Sequence, residues 1–312
     1  MKNYLELLQN ILDNGIQQLN RTGIDTLMIP GETLKFDLRE GFPAMTTKKL
    51  AFKAVKGELL GFLRGYTNAA DFRALDCNIW NANANDPGKE GSPNAWLSNP
   101  NRKGEDDLGL IYGHQWRHWK GDASIKNVEP ISHDGAAIKF IAEMDYEEID
   151  QVQEVLKKLR NNPTDRRMIV NAWRPDEFNK MSLPPCHVLY QFIADTKNKV
   201  LHLCMYQRSN DFFLGNPFNI ASASLFLAIM AKLSGLTAGI FTHFMADTHI
   251  YISHLDQVKE QLTRKPYILP KLNLDFDIDP LVELDWAFKI KPEDINLSHY
   301  VSHDSIKAEM AV

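Results

Sequence analysis

The hexapeptide Leu183-Pro184-Pro185-Cys186-His187-Val188 constrains its surroundings more tightly than any other stretch of the chain. Two consecutive prolines fix their own φ angles, remove two backbone donors and keep Leu183 and Pro184 out of helical ψ, so the segment must be extended. Val188 to Ile193 are β-branched, aromatic or apolar, which predicts a strand beginning at or just after the cysteine. Cys186 therefore follows a stiff lead-in, at a strand end from which a thiol can reach a cleft. The alternative is a buried thiol that packs as a small hydrophobe, a common fate of unbridged cysteines. The hexapeptide leaves both readings open.

The 312 residues, 44% of them hydrophobic, suffice for a sizeable core, and the length allows one large α/β domain or two smaller ones. A net charge of −5 with 24% charged residues offers neither a basic surface for nucleic acid nor a polybasic membrane patch, so an anionic partner must be met locally. Cysteines stand only at 77, 186 and 204. Odd in number, widely spaced and without a C-x-x-C pair, they argue against a disulfide framework or a metal site and for a reducing compartment. The opening MKNYLELLQN carries charges and amides where a signal peptide has its apolar segment. The most apolar run, Leu225 to Ala231, falls far short of the ~20 residues that span a bilayer. A cytoplasmic location is expected.

Tyr4, Leu5, Leu8, Ile11 and Leu12 recur at helical spacing up to Asn14-Gly15, and Leu50 to Leu63 repeats the pattern with Glu58 inside it. Thr26 to Asp37 reads as a strand with a turn or bulge at Pro30-Gly31. Asn81 to Gly104, rich in Asn, Gly, Pro and Ser, reads as a long irregular loop, and Gly121 to Ala137 as a second, weaker one. Asp145-x-x-Glu148 resembles a capping box for a helix carrying Ile149, Val152, Val155, Leu156 and Leu159 to Asn161-Asn162-Pro163. Met168 to Trp173 is a short strand, and Val188 to Ile193 pairs with Val200 to Tyr206 across a hairpin at Asp195 to Lys199. Ile220 to Leu233 is a helix closed by Gly235. No linker or repeat divides the chain. The reading is one α/β (α+β) domain over residues 1–312, a mixed or antiparallel twisted sheet covered by helices, with an irregular insertion at about 81–104.

Charge and chemistry concentrate at a few places. Arg166-Arg167 precede one strand and Arg208-Ser209 end another. Neighbouring strand residues face opposite ways, so a local site can use one arginine of the first pair unless the backbone turns there. These residues fit solvated charge matched by Asp165 or Asp211. They also fit a phosphate, whose oxygens a guanidinium fork grips in pairs, with the Ser209 hydroxyl and Arg21 as further donors. Guanidinium groups near Cys186 would lower its pKa and supply a thiolate. Glu58 interrupts an apolar helix: taken alone it is most simply a surface carboxylate, and only if it faces inward must it be paired or hold its proton near neutral pH. Asn219 is either a helix cap or an amide that reads the edge of a heterocycle. His249 and Tyr251 share a strand face, as sugar ligands or as ordinary polar core groups.

Arg21-Thr22-Gly23, Gly41-Phe42-Pro43 with Thr46-Thr47-Lys48, Glu58-Leu59-Leu60, Tyr112-Gly113-x-Gln115-Trp116-Arg117, Arg166-Arg167, Pro185-Cys186-His187, Tyr206-Gln207-Arg208-Ser209-x-Asp211, Gly215-x-Pro217-Phe218-Asn219, Asp247-Thr248-His249-x-Tyr251 and Met310-Ala311-Val312 together make a pattern. In that order it resembles the thymidylate synthases. Each motif alone is weak; the ordered set spans the chain and is specific. The resemblance implies reductive methylation of dUMP to dTMP, with 5,10-methylenetetrahydrofolate giving both the one-carbon unit and the hydride, no metal, and a homodimer formed through a sheet face. It makes Cys186 the nucleophile at uracil C6, with Glu58, Tyr112, Asn219 and Asp211 in the catalytic set.

By the same resemblance Arg21, Arg208 and Ser209 bind the dUMP phosphate, and Arg166 and Arg167 reach it from the other subunit. Asn219 reads N3 and O4 of the base, His249 and Tyr251 bind the ribose 3′-hydroxyl, and Asn210, Asp211 and Ile250 complete the nucleotide set. Ile79, Trp80, Leu214, Gly215 and Phe218 wall the folate, Asp211 holds its pterin, and Ala311 with Val312 closes over the ligands. The sequence departs from the family in places: Asn81-Ala82-Asn83 stands for a usual Asp-x-Trp, leaving Trp96 as the candidate replacement, and Gly61 stands for a common tryptophan. A dUMP hydroxymethylase of the same fold is the alternative; Trp80 and Met310-Ala311-Val312 favour methylation, and Asn219 favours uracil over cytosine. A secondary RNA-binding regulatory role suits the charge balance less well.

Overall fold

Alternation along the central strands sets the architecture. Within Val200–Asp211, Leu201, Leu203 and Met205 are buried while His202, Cys204 and Tyr206 face the other way, so one side of the sheet joins a core. A computed structural model describes residues 1–20, 23–89, 92–133 and 138–309. The first half of the chain forms α1 (Lys2–Asn14), β1 (Ile16–Gln18), β2 (Thr26–Asp37), α2 (Phe52–Leu63), α3 (Ala69–Arg73), α4 (Asn81–Asn85), β3 (Gly88–Lys89), β4 (Ser92–Pro93), α5 (Tyr112–Arg117), β5 (Trp119–His133) and β6 (Ile138–Ile149). Then come α6 (Gln151–Asn161), β7 (Ile169–Asn171), β8 (His187–Asp195), β9 (Val200–Asp211), α7 (Gly215–Ser234) and β10 (Thr237–Tyr251).

Six strands make one sheet in the order β1-β2-β10-β9-β8-β7. Each neighbouring pair is antiparallel except β9 and β10. Parallel neighbours need a crossover connection, and α7 supplies it, packing on β9, β10 and α2. The sheet is therefore mixed and mostly antiparallel. By length and composition α7 is the one helix among the described residues that is apolar enough to cross a membrane, yet 83% of its most apolar window is buried in the protein. It is a core helix, with Leu225, Leu227, Ile229 and Met230 fully enclosed. It also begins five residues before the expected Ile220, because Pro217 falls in the first turn, where a missing N–H removes no intrahelical bond. Gly235 ends it at φ +71°, the left-handed cap expected there.

On the opposite side of the sheet Leu189, Tyr206, Phe244 and Thr33 are register neighbours across β8, β9, β10 and β2. Tyr206 and Phe244 are each about two-fifths exposed, and Ile169 and Ile193 stand in the open beside them. Such a row of large apolar groups is an unusual thing to leave on a surface.

Three local expectations change. The loop expected at Gly121 to Ala137 is mostly ribbon: β5 pairs with β6 from Trp119↔Ile149 to His133↔Ile138, its register shifted at several points. Those shifts break the period-2 alternation that would have marked strands in the sequence. Asp145 and Glu148 lie within β6, and α6 starts later, with Asp150 as its N-cap accepting the Gln153 N–H at 3.0 Å. The stretch from Asn81 to Gly104 holds α4, the small β3–β4 hairpin and a 3-10 turn at Ala95–Ser98. Its asparagines tie it down by side-chain bonds, Asn94 to the Asp86 carbonyl (2.9 Å) and Asn99 to that of Asn179 (2.9 Å).

Asp150 also binds Arg117, whose guanidinium lies 2.7 Å from its carboxylate. Replacing it by alanine should cost about 1–2 kcal/mol of stability in urea unfolding, and Asp150→Asn should recover most of the capping part. Equal stability of Asp150→Ala and the parent would count against the cap.

Candidate active site

The diproline segment is held from β9. Arg208 donates from Nε to the Pro185 carbonyl (2.9 Å) and from Nη2 to that of Pro184 (3.0 Å), and its backbone N–H donates to the Cys186 carbonyl (2.9 Å). The Cys186 N–H donates to the Tyr112 hydroxyl at 2.6 Å, which the His187 N–H also reaches at 3.3 Å. The backbone around Cys186 is thus fully engaged, and its side chain lines a cavity of about 960 Å³. Among the described residues no cysteine is in a disulfide.

Glu58 enters the same cavity from α2. Its carboxylate accepts from Trp80 Nε1 at 3.1 Å. Burial pushes its pKa up to about 7, with the Trp80 bond pulling the other way. The dry surroundings are aromatic: Phe62 meets Tyr112, Trp116 and Trp80 with ring centroids 4.9, 5.5 and 5.9 Å apart. Burial, and next to it the Cys186 thiol, raises the Tyr112 pKa as well. Cys77, close to Glu58, is a different kind of thiol: burial drives its pKa up to about 12 and leaves it inert.

A polar floor completes the site. Asn219 on α7 accepts through Oδ1 from Gln207 Nε2 at 3.1 Å. His187 lies against Asn219 and against the Tyr190 hydroxyl (3.0 Å), and burial holds its pKa down to about 4, opposed by the Asn219 contact. It is a neutral imidazole at physiological pH. His249 and Tyr251 stand at the rim on β10, rings 5.3 Å apart and nearly perpendicular, with His249 Nδ1 bonded to Asp247 at 2.9 Å. Asp211 accepts the Phe213 and Leu214 N–H groups (3.1 and 3.0 Å), turning the chain from β9 into α7.

Cys186, Glu58, Tyr112, Asn219, Asp211, Ser209, His249 and Tyr251 therefore share one cavity, walled by Ile79, Trp80, Leu214, Gly215 and Phe218. Other expected ligands lie elsewhere. Arg208 sits behind the diproline segment, its guanidinium 5.4 Å from the Trp173 ring centre. Arg166 and Arg167 are exposed before β7, and Arg167 pairs with Asp165 at 3.0 Å. Asn210 and Ile250 are fully buried, the former accepting from Asn216 at 3.0 Å. Arg21, Ala311 and Val312 fall outside the described residues. Trp96, the candidate replacement for a folate contact, is buried in its own loop and donates to the Asp107 carbonyl at 2.6 Å, away from the cavity wall. Gly61 is glycine because the Phe72 ring occupies the space of any side chain there.

Sequence reasoning missed Gln207 and His187 as site residues. A signal existed: Gln207 continues the buried row Leu201, Leu203, Met205 on β9, and a polar group in such a row needs a partner.

The family model of thymidylate synthase matches residues 2–312. The chain belongs to the thymidylate synthase family. It is 42% identical to the thymidylate synthase of Bordetella parapertussis and 41% identical to that of Pseudomonas putida, over all of this chain and all of each relative. It is accordingly a methyltransferase of dTMP biosynthesis, converting dUMP to dTMP with a folate cosubstrate. Among the described residues no group of three or more His, Cys, Asp or Glu side chains is arranged to hold a metal. One wall of the cavity is rich in amides, lined by Asn78, Asn81, Asn83 and Asn85.

The Glu58 shift has a sign. Folded, the carboxyl keeps its proton to about pH 7; an unperturbed one loses it near 4.5. Between those values the folded state binds more protons, so stability falls as pH rises through the window. Urea unfolding at about pH 5 and pH 7.5 should show the parent losing about 2–3 kcal/mol more than Glu58→Gln. Parallel losses would mean that Glu58 titrates normally.

Proposed function

We propose that this cavity carries out the methylation with Cys186 as nucleophile. Its Sγ adds to uracil C6, and C5 bonds the methylene carbon of 5,10-methylenetetrahydrofolate; loss of the C5 proton to a base breaks that carbon's bond to the folate nitrogen, and hydride from the released tetrahydrofolate completes the methyl group, giving dihydrofolate as Sγ leaves C6. The observation that carries the reading is the convergence of Cys186, Glu58, Tyr112, Trp80 and Asn219 on one cavity of about 960 Å³. Glu58, with a pKa near 7, is suited to moving protons at O4 and C5, and the Tyr112 hydroxyl beside the Cys186 backbone is suited to help remove the C5 proton.

The remaining roles follow the chemistry of each group. Asn219 meets N3 and O4 of the base, and His249 and Tyr251 the ribose 3′-hydroxyl. Ser209 and Arg21 take the phosphate, joined by Arg208 once its guanidinium turns from the Pro184 and Pro185 carbonyls, and the buried Asn210 and Ile250 belong to the same nucleotide set. Asp211 holds the pterin against Ile79, Trp80, Leu214, Gly215 and Phe218, and Ala311 and Val312 close the site. Trp80 in the wall favours methylation over hydroxymethylation, because an indole placed there shields the methylene intermediate from water.

The site is shared in a homodimer. Arg166 and Arg167 lie on an exposed turn beside the edge strand β7, and the open row with Tyr206 and Phe244 supplies an apolar face for a second copy. Both arginines can then serve the partner's phosphate site.

Incubation with dUMP and 5,10-methylenetetrahydrofolate should release dTMP and dihydrofolate in equal amounts; 5-hydroxymethyl-dUMP with tetrahydrofolate would overturn the methylation chemistry. Cys186→Ala should abolish turnover while dUMP still binds. Mixing Cys186→Ala with Arg166→Ala protomers should restore partial activity through the sites that carry neither change. Absence of recovery in a mixed dimer would refute arginines shared between subunits.

A further inference from the structure

Below the cavity floor a line of polar side chains runs into the core. His243 on β10 is fully buried, its ring stacked on Phe241 with centroids 5.5 Å apart. Its Nε2 is 2.8 Å from Gln207 Oε1, and its Nδ1 has no partner among the described residues. The other end of the Gln207 amide reaches the Ser209 carbonyl at 2.9 Å and Asn219 Oδ1 at 3.1 Å. A backbone carbonyl only accepts, so the group beside Ser209 must be the NH2. Oε1 therefore faces His243, and the imidazole must carry its proton on Nε2. Burial lowers the His243 pKa well below the ordinary value. The neutral ring has one proton, and that proton is committed to Gln207.

The polarity passes on to Asn219. Because the Gln207 NH2 donates to it, Asn219 turns its oxygen toward Gln207 and its own NH2 away, and the His187 ring bonds to the same side chain. Uracil presents a donor at N3 and an acceptor at O4, which match an oxygen and an NH2 in this order. Cytosine presents the reverse, an acceptor at N3 and an amino donor at C4. To meet cytosine Asn219 would have to flip, setting its NH2 against the Gln207 NH2 at a part-buried position, and a donor left facing a donor there is costly.

We propose that His243, outside the cavity, is a positioning residue for base selection: through Gln207 it locks the Asn219 amide in the direction that accepts uracil and refuses cytosine. The proposal rests on the reading of Asn219 as the group that meets the base. Two groups hold the Gln207 amide, the Ser209 backbone and the His243 ring, so His243 is the one side chain by which the lock can be loosened without touching the cavity.

Titration calorimetry of the full-length protein with dUMP and with dCMP tests it. His243→Phe keeps an aromatic ring and loses the donor, and the ratio of the dCMP to the dUMP Kd should fall about fivefold. His243→Gln, whose amide can donate from a similar reach, should stay within about twofold of the parent ratio. An unchanged ratio in His243→Phe overturns the relay. Asn219→Asp separates the two claims: if it leaves the ratio unmoved, the base reading itself fails, and if it moves the ratio while His243→Phe does not, only the relay fails. Should His243→Phe not fold, nitrogen NMR of the imidazoles in the parent decides. A neutral ring protonated on Nε2 is expected, and one protonated on Nδ1, or on both nitrogens at neutral pH, overturns the proposal.

Discussion

The Tyr112 hydroxyl is the point on which the site depends. One phenolic oxygen accepts the N–H groups of Cys186 and His187, at 2.6 and 3.3 Å, and so joins α5 to the start of β8. Two prolines directly before it bring no N–H of their own, and their carbonyls are met by the Arg208 guanidinium instead. With the neighbouring backbone groups engaged, the Cα–Cβ direction of Cys186 is fixed and only its χ1 rotamer remains to be chosen. Buried backbone groups left unpaired would cost as much as lost hydrogen bonds, so Tyr112 and Arg208 stabilise the same conformation that aims the thiol.

Dryness is the second constraint, and it acts in two directions. The aromatic shell of Phe62, Trp80, Tyr112 and Trp116 excludes water, which raises the Glu58 pKa and depresses that of His187 to about 4. The result is a carboxyl that is still partly protonated near pH 7, where an unburied one would be fully ionised, and a fully neutral imidazole, both lining one cavity. Burying these groups weakens the fold, and the hydrogen bonds from Trp80 and Tyr190 offset part of that cost. The polar floor follows the same logic: Gln207 bonds to both Asn219 and His243, and the fully buried His243 ring meets no other hydrogen-bond partner among the described residues.

Much of this was legible before any coordinates. The strand after the diproline, the hairpin at Asp195 to Lys199 and the helix ending at Gly235 all rest on local rules: fixed φ, period-2 alternation, a left-handed cap. Glu58 was not legible in this way: a lone carboxylate on a helix is most simply a surface group, and packing turned it inward. The β5–β6 ribbon was not legible, because its shifted register scatters the alternation that marks a strand. The start of α6 was misplaced because Asp145 and Asp150 both look like caps, and only the pairing of Asp145 with Ser124 removes the first.

The chain's own residues determined the family and the identity of the chemical groups, since the ordered motifs and the stiffness of Pro184-Pro185 are properties of sequence. Only the tertiary structure decided which of those groups meet. It placed Trp96 in its own loop and Asn210 and Ile250 in the core, and set Arg166 and Arg167 at the exposed edge of β7. It also brought Gln207 and His243 into hydrogen-bond contact, on strands separated in sequence by a whole helix and adjacent in the sheet. The reason is physical: a residue's type fixes what it can donate, accept or ionise, whereas burial and the direction of its partners are set by packing between segments that no local pattern records.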